Sequence, residues 1–158
     1  MIIKDILNKI ITFSPYKADI NVNMAFIIAF TGFLYIGEII YLNRKVKDFS
    51  TTKALCSDVR ITPNGHLMVF YLKRSKIDKT YSSINIQIAA ILGDYLCPMA
   101  AIIWLFNYNP RPLSDPLFSV NNKAFLVLVI RKILLTCLTA SSILFNSYSN
   151  HSFYRGVV

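Results

Sequence analysis

Apolar residues at Ile2, Ile3, Ile6, Ile10 and Ile11 recur at helical spacing and predict a helix over residues 1–13. Pro15 in Ser14-Pro15-Tyr16 stops it. Residues 19–33 are apolar nearly all round and read as a buried helix, with Gly32 as an interruption and a second short helix near 36–42. Residues 44–52 form a basic, polar connector. The period then changes from helical to alternating. Val59 and Ile61 alternate with Arg60 and Thr62, and Asn64-Gly65 supplies the positive φ of a tight turn. Residues 66–73 return, residues 73–79 make a basic turn, and Ile84, Ile86 and Ile88 alternate with Asn85 and Gln87. The pattern predicts a three-stranded antiparallel meander.

After Cys97 the helical period resumes. Pro98 suits a first helical turn, residues 99–106 give the apolar body, and residues 109–116 form a loop. Residues 121–138 predict one long helix capped at Asn121 or Asn122. Residues 139–150 are irregular. Residues 151–158 begin an element that nothing caps, and the expectation is a truncated final element. The fold class is α+β, mostly helical, with one small three-stranded antiparallel sheet.

Composition narrows the classes. A chain of 158 residues fits one domain. At 54% hydrophobic it is too apolar for disorder. Two uncharged stretches, 20–37 and 95–110, sit at the lower limit for crossing a bilayer. They carry Asn21, Asn23, Gly32, Pro98, Asn107 and Asn109, and neither has the flanks of a span. A membrane partner is therefore not expected, and a small basic membrane protein remains the alternative. Lys4, Asp5 and Lys9 spoil the N-terminus as a signal peptide, so the expected location is nuclear or cytoplasmic. His66, His151, Cys56, Cys97 and Cys137 are too scattered for a local metal site. No metal or other cofactor is expected, and the cysteines read as reduced packing residues.

Charge supplies the first functional signal. Of 17 Lys and Arg, nine lie between positions 44 and 79: Arg44, Lys45, Lys47, Lys53, Arg60, Lys73, Arg74, Lys76 and Lys79. Only Asp48, Asp58 and Asp78 oppose them there. A basic connector beside a basic hairpin tip suits a polyanion, since Lys and Arg neutralise phosphates and release counterions. The plain alternative is the solvated basic face of a non-enzymatic binding module.

The segments "AFTGFLYIGEI" (29–39), "LKRSKIDK" (72–79), "LCPMAAI" (96–102) and "YSNHSFYRG" (148–156) together resemble the catalytic domain of the tyrosine recombinases, the DNA breaking-rejoining enzymes, and more narrowly their fungal transposon-borne members. "AFTGFLYIGEI" (29–39) is similar to the family's T-G-x-x-Arg-x-x-Glu junction. "LKRSKIDK" (72–79) is similar to the hairpin that carries its lysine, and "LCPMAAI" (96–102) to the helix after the third strand. "YSNHSFYRG" (148–156) is similar to its Gly-His-x-x-Arg box. The resemblance divides the chain into an N-terminal helical segment, 1–16, and a truncated recombinase-like domain, 17–158. It implies double-stranded DNA as partner.

In that family a tyrosine attacks a phosphodiester without a metal. Two arginines clamp the phosphate oxygens with forked, permanently charged donors. A lysine protonates the leaving oxygen and a histidine assists. The resemblance carries the lysine onto Lys76, with Lys73 and Lys79 as alternatives, and the histidine onto His151. Glu38 matches the acid that supports the first arginine. The DNA-contacting set is Arg44, Lys45, Lys47, Lys53, Lys73, Arg74 and Lys79.

The departures from the pattern matter more. The two arginine positions are Tyr35 and Tyr154. Arg155 is the nearest partial substitute, but one step along a helix turns a side chain by about 100 degrees. A neutral phenol offers one donor where guanidinium offers five and a full charge. Losing a single preorganised donor costs about 2.7–4 kcal/mol of barrier. No tyrosine in the chain occupies the downstream nucleophile position. The expectation is a decayed remnant that binds DNA without cleaving it, with exposed C-terminal apolar surface prone to self-association. Arg codons CGT or CGC become Tyr codons by C-to-T changes on both strands, and 22 Ile and 12 Asn lean the same way. G/C-rich third codon positions around codons 35 and 154 would refute that route of decay.

Overall fold

The computed structural model describes residues 4–13, 20–32, 34–41, 53–73, 80, 82–120, 123–124 and 126–144. Five helices are described: α1 (Lys4–Phe13), α2 (Ile20–Thr31), α3 (Ile36–Ile39), α4 (Pro98–Tyr108) and α5 (Val127–Ala140). Strands β1 (Val59–Ile61), β2 (Leu67–Leu72) and β3 (Ile84–Ala89) form one antiparallel sheet in the order β1-β2-β3. A two-stranded pair, β4 (Ser119–Val120) and β5 (Lys123–Ala124), stands apart. The class is α+β.

Alternation sets the sheet. Val59 pairs with Phe70 and Ile61 with Met68 on one side, and Met68 pairs with Ile88 and Phe70 with Ile86 on the other. Met68, Phe70, Leu72 and Ile88 are buried on the inner face. The Asn64-Gly65 signal is realised: Gly65 has φ +68 and its amide donates to the Thr62 carbonyl at 2.8 Å. The Asn64 side chain accepts from the His66 amide at 3.1 Å, which closes the hairpin tip.

The helices pack as their apolar faces dictate. On α1, Leu7 and Ile10 lie three apart and are fully buried, facing α5. The Cys137 thiol of α5 donates to the Ile10 carbonyl at 3.2 Å and ties the two together. Burial pushes that thiol up to about 11. On α2, residues Met24 through Ala29 are all buried, and the helix packs on α4. All three cysteines are free and buried.

Gly32 ends α2 for a steric reason. A Cβ there would stand 2.9 Å from the Ile28 carbonyl oxygen and 3.1 Å from Ile88 Cδ1 of β3. The interruption expected at this glycine is therefore a close approach of helix end to sheet.

One expectation changes. The long helix with a cap at Asn121 or Asn122 starts later, at Val127, because Lys123–Ala124 pairs with Ser119–Val120 instead. Backbone paired in a ladder cannot also begin a helix; Asn121 and Asn122 lie outside the described residues. The two uncharged stretches become α2, of 12 residues, and α4, of 11. Among the described residues no helix is long and apolar enough to cross a membrane.

Candidate functional site

The short helix α3 is held by its own acid. Glu38 is the third residue after Tyr35; its Oε2 accepts from the Tyr35 amide at 2.9 Å, while the Glu38 amide donates to the Tyr35 carbonyl at 2.8 Å. This reciprocal pair is the usual way an N-terminal turn satisfies its orphan donors. Glu38 is 7% exposed, so it is not a solvated helix carboxylate. The carboxylate meets residue 35 at its backbone amide.

Asp58 repeats the device one element later. Its Oδ2 accepts from the Leu55 amide at 2.8 Å, closing the single 3-10 turn Cys56–Asp58 that leads into β1. The same oxygen lies 2.7 Å from Lys73 Nζ, just beyond the end of β2. The side chains are 13% exposed for Lys73 and 8% for Asp58. A charge this far from water needs a partner, and each supplies the other's. Lys73, expected in the DNA-contacting set, is engaged by Asp58 and by the Lys53 carbonyl.

Lys53 joins these two places. Its Nζ donates to the Gly37 carbonyl of α3 at 2.7 Å, and its own carbonyl accepts from Lys73 Nζ at 3.1 Å. The chain of contacts runs from the Tyr35–Glu38 turn through Lys53 to Lys73 and Asp58. Segments 29–39 and 72–73 are thus brought to one end of the sheet.

The remaining expected site residues are not part of this geometry. Lys76, Arg74 and Lys79, the connector residues Arg44, Lys45 and Lys47, and His151, Tyr154 and Arg155 all lie outside the described residues.

Three residues carry structural roles that the sequence reading missed. Arg111, read only as part of a loop, reaches four acceptors: Pro116 O at 2.9 Å, Ser119 Oγ at 3.0 Å, Asn21 Oδ1 at 3.1 Å and Leu117 O at 2.7 Å. It pins residues 116–119 against α2. Tyr41 is fully buried and donates its hydroxyl to the Ala54 carbonyl, and burial raises its phenol. Asp58 had one sequence signal, as the sole acid between Asp48 and Asp78. For Arg111 and Tyr41 the local pattern held none.

At Tyr41 and Cys56 burial works against ionisation. Burial pushes the Cys56 thiol up, opposed in part by the Arg111 charge. Raised values disfavour thiolate and phenolate, the nucleophilic forms. Among the described residues no group of three His, Cys, Asp or Glu side chains could hold a metal ion. No family model, no curated protein and no solved structure matches the chain.

Proposed function

We propose that the chain is a DNA-binding remnant of a tyrosine-recombinase-type domain without strand-cleaving activity. The observation that supports this most is the Lys53 bridge. The resemblance requires the Tyr35–Glu38 junction and the lysine hairpin, far apart in sequence, to serve one site. Lys53 hydrogen-bonds Gly37 on one side and Lys73 on the other. The basic connector and hairpin turn, 44–52 and 74–79, flank that bridge along the chain and supply the phosphate-neutralising charge. Cleavage is absent from the reading because Tyr35 and Tyr154 stand where the pattern has guanidinium groups. Neither carries a positive charge for the equatorial oxygens of a reacting phosphate.

The test has two arms. Binding to labelled duplex DNA, followed by anisotropy, should weaken steeply as salt rises. Affinity independent of salt overturns the electrostatic reading. Incubation with a nicked duplex followed by denaturing electrophoresis should yield no covalent protein–DNA adduct. An adduct overturns the claim of lost cleavage.

A further inference from the structure

The sheet's two faces differ in kind. The inner face is sealed by Met68, Phe70, Leu72 and Ile88. On the outer face Arg60, Val69, Tyr71 and Asn85, with Ser57 and Asp58 at the lip, line an open groove of about 550 Å³. Register fixes the arrangement. Arg60 pairs with Val69 and Tyr71 with Asn85, so Arg60 and Tyr71 are diagonal neighbours on one face. Tyr71 is 39% exposed. Arg60 is exposed and, among the described residues, has no ion-pair partner. The groove's acid, Asp58, already has its charge met by Lys73 at 2.7 Å. The net charge offered here is therefore positive.

We propose that this groove binds an unpaired nucleotide of a nucleic-acid strand, the base lying against Tyr71, the amide of Asn85 at its edge, and the phosphate at Arg60. Charge complementarity commits the occupant to a polyanion: Arg60 sits inside the stretch 44–79 that holds nine of the 17 cations. The aromatic ring commits it to an unpaired strand. In a duplex each base face is covered by its neighbours, so only an unpaired base can stack on a side chain lying on a sheet. The inference rests on the DNA-binding reading for its polyanion, but needs no recombinase ancestry.

The experiment compares a short labelled oligothymidylate with a duplex of equal length, by anisotropy at low salt. Tyr71→Ala should weaken binding of the single strand roughly 5- to 150-fold, and leave duplex binding within about twofold. Tyr71→Trp should restore the single strand, and Arg60→Gln should lower the salt dependence of its binding. Circular dichroism and melting of each variant check that the fold is kept. An unchanged single-strand affinity in Tyr71→Ala overturns the proposal, as does equal loss for both nucleic acids. If the duplex fails to bind while the single strand binds in a Tyr71-dependent way, the duplex reading fails and this one stands.

Discussion

Among the described residues two lysine–aspartate pairs form, and they differ in almost everything except chemistry. Lys73–Asp58 joins the end of β2 to the turn before β1, with side chains 13% and 8% exposed. Lys4–Asp94 joins α1 to the turn before α4, with side chains 55% and 19% exposed. In the first, Asp58 also holds the Leu55 amide and Lys73 also holds the Lys53 carbonyl. Each charge is thus a node that other segments depend on. In the second, Asp94 also accepts from the Leu96 amide, but the Lys4 ammonium is more than half exposed and water can replace it. An ion pair's worth is set by what is left behind when one half is removed, not by its own distance.

The largest expected effect breaks the inner pair. Asp58→Ala leaves the Lys73 ammonium with no counter-charge and should destabilise the protein by about 3–5 kcal/mol in urea unfolding. Replacing both partners by apolar residues, Lys73→Met with Asp58→Leu, strands no charge and should cost less than Asp58→Ala, although the Leu55 amide and the Lys53 carbonyl still lose their partners. If Asp58→Ala is as mild as Lys4→Ala, burial is not what separates the pairs.

Arg111 sharpens the point, as a cation that reaches four oxygens and forms no ion pair among the described residues. Arg111→Ala should cost about 2–3 kcal/mol, from acceptors left unsatisfied in partly buried loop backbone. Arg111→Lys should recover little. One ammonium cannot span Asn21, Ser119 and the Pro116 and Leu117 carbonyls as a planar fork does. Full rescue by lysine would mean that charge alone, rather than fork geometry, holds the loop.

How far these contacts were legible follows from their range. The hairpin was readable because Asn64-Gly65 and the alternating Ile84, Ile86 and Ile88 are local signals. The helices were readable because their apolar runs are long. The pair β4–β5 was not, since two-residue strands carry no period, and Lys123-Ala124 was absorbed into the helix that follows. Glu38 matches the acid that supports the family's first arginine, and here its carboxylate accepts from the amide of residue 35. A three-residue spacing fits both uses. Lys73 was placed in the DNA-contacting set because nothing in residues 72–79 shows that Asp58, before the neighbouring strand, lies beside it. Long-range pairing of single charges is set by topology, and sequence pattern reports topology only through its repeats.

The alkaline limb tests the attachment of α1 from its inner side, at Cys137. Its thiol is pushed up to about 11 by burial, from an ordinary value of 9.0. Between those values the unfolded chain has lost the proton and the folded chain keeps it, so stability falls as pH rises. The slope should be at most about 1.4 kcal/mol per pH unit. Cys137→Ser does not titrate there and should flatten that limb in melts taken from pH 8 to 11. An unchanged slope would assign the loss to other groups.

The smallest effect lies at the outer attachment of α1. Hydrogen bonding from Lys4, and then from the Leu96 amide, holds the Asp94 carboxyl below its ordinary value, and Asp94 in turn raises Lys4. The sign follows. A lowered carboxyl contributes stability above its unfolded value of about 3.9, and that contribution fades as pH falls through the lowered value. The raised Lys4 contributes below its unfolded value and fades as pH climbs through the raised one. Lys4→Ala should move the Asp94 carboxyl back toward its ordinary range in an NMR titration while scarcely changing the melting temperature. Molar salt should move the carboxyl in the same direction by a smaller amount in the unaltered chain, because it screens the charge attraction and leaves the hydrogen bonds. The Asp58–Lys73 contact should persist in that salt. If both pairs respond alike to it, they differ only in position, and the contrast between them fails.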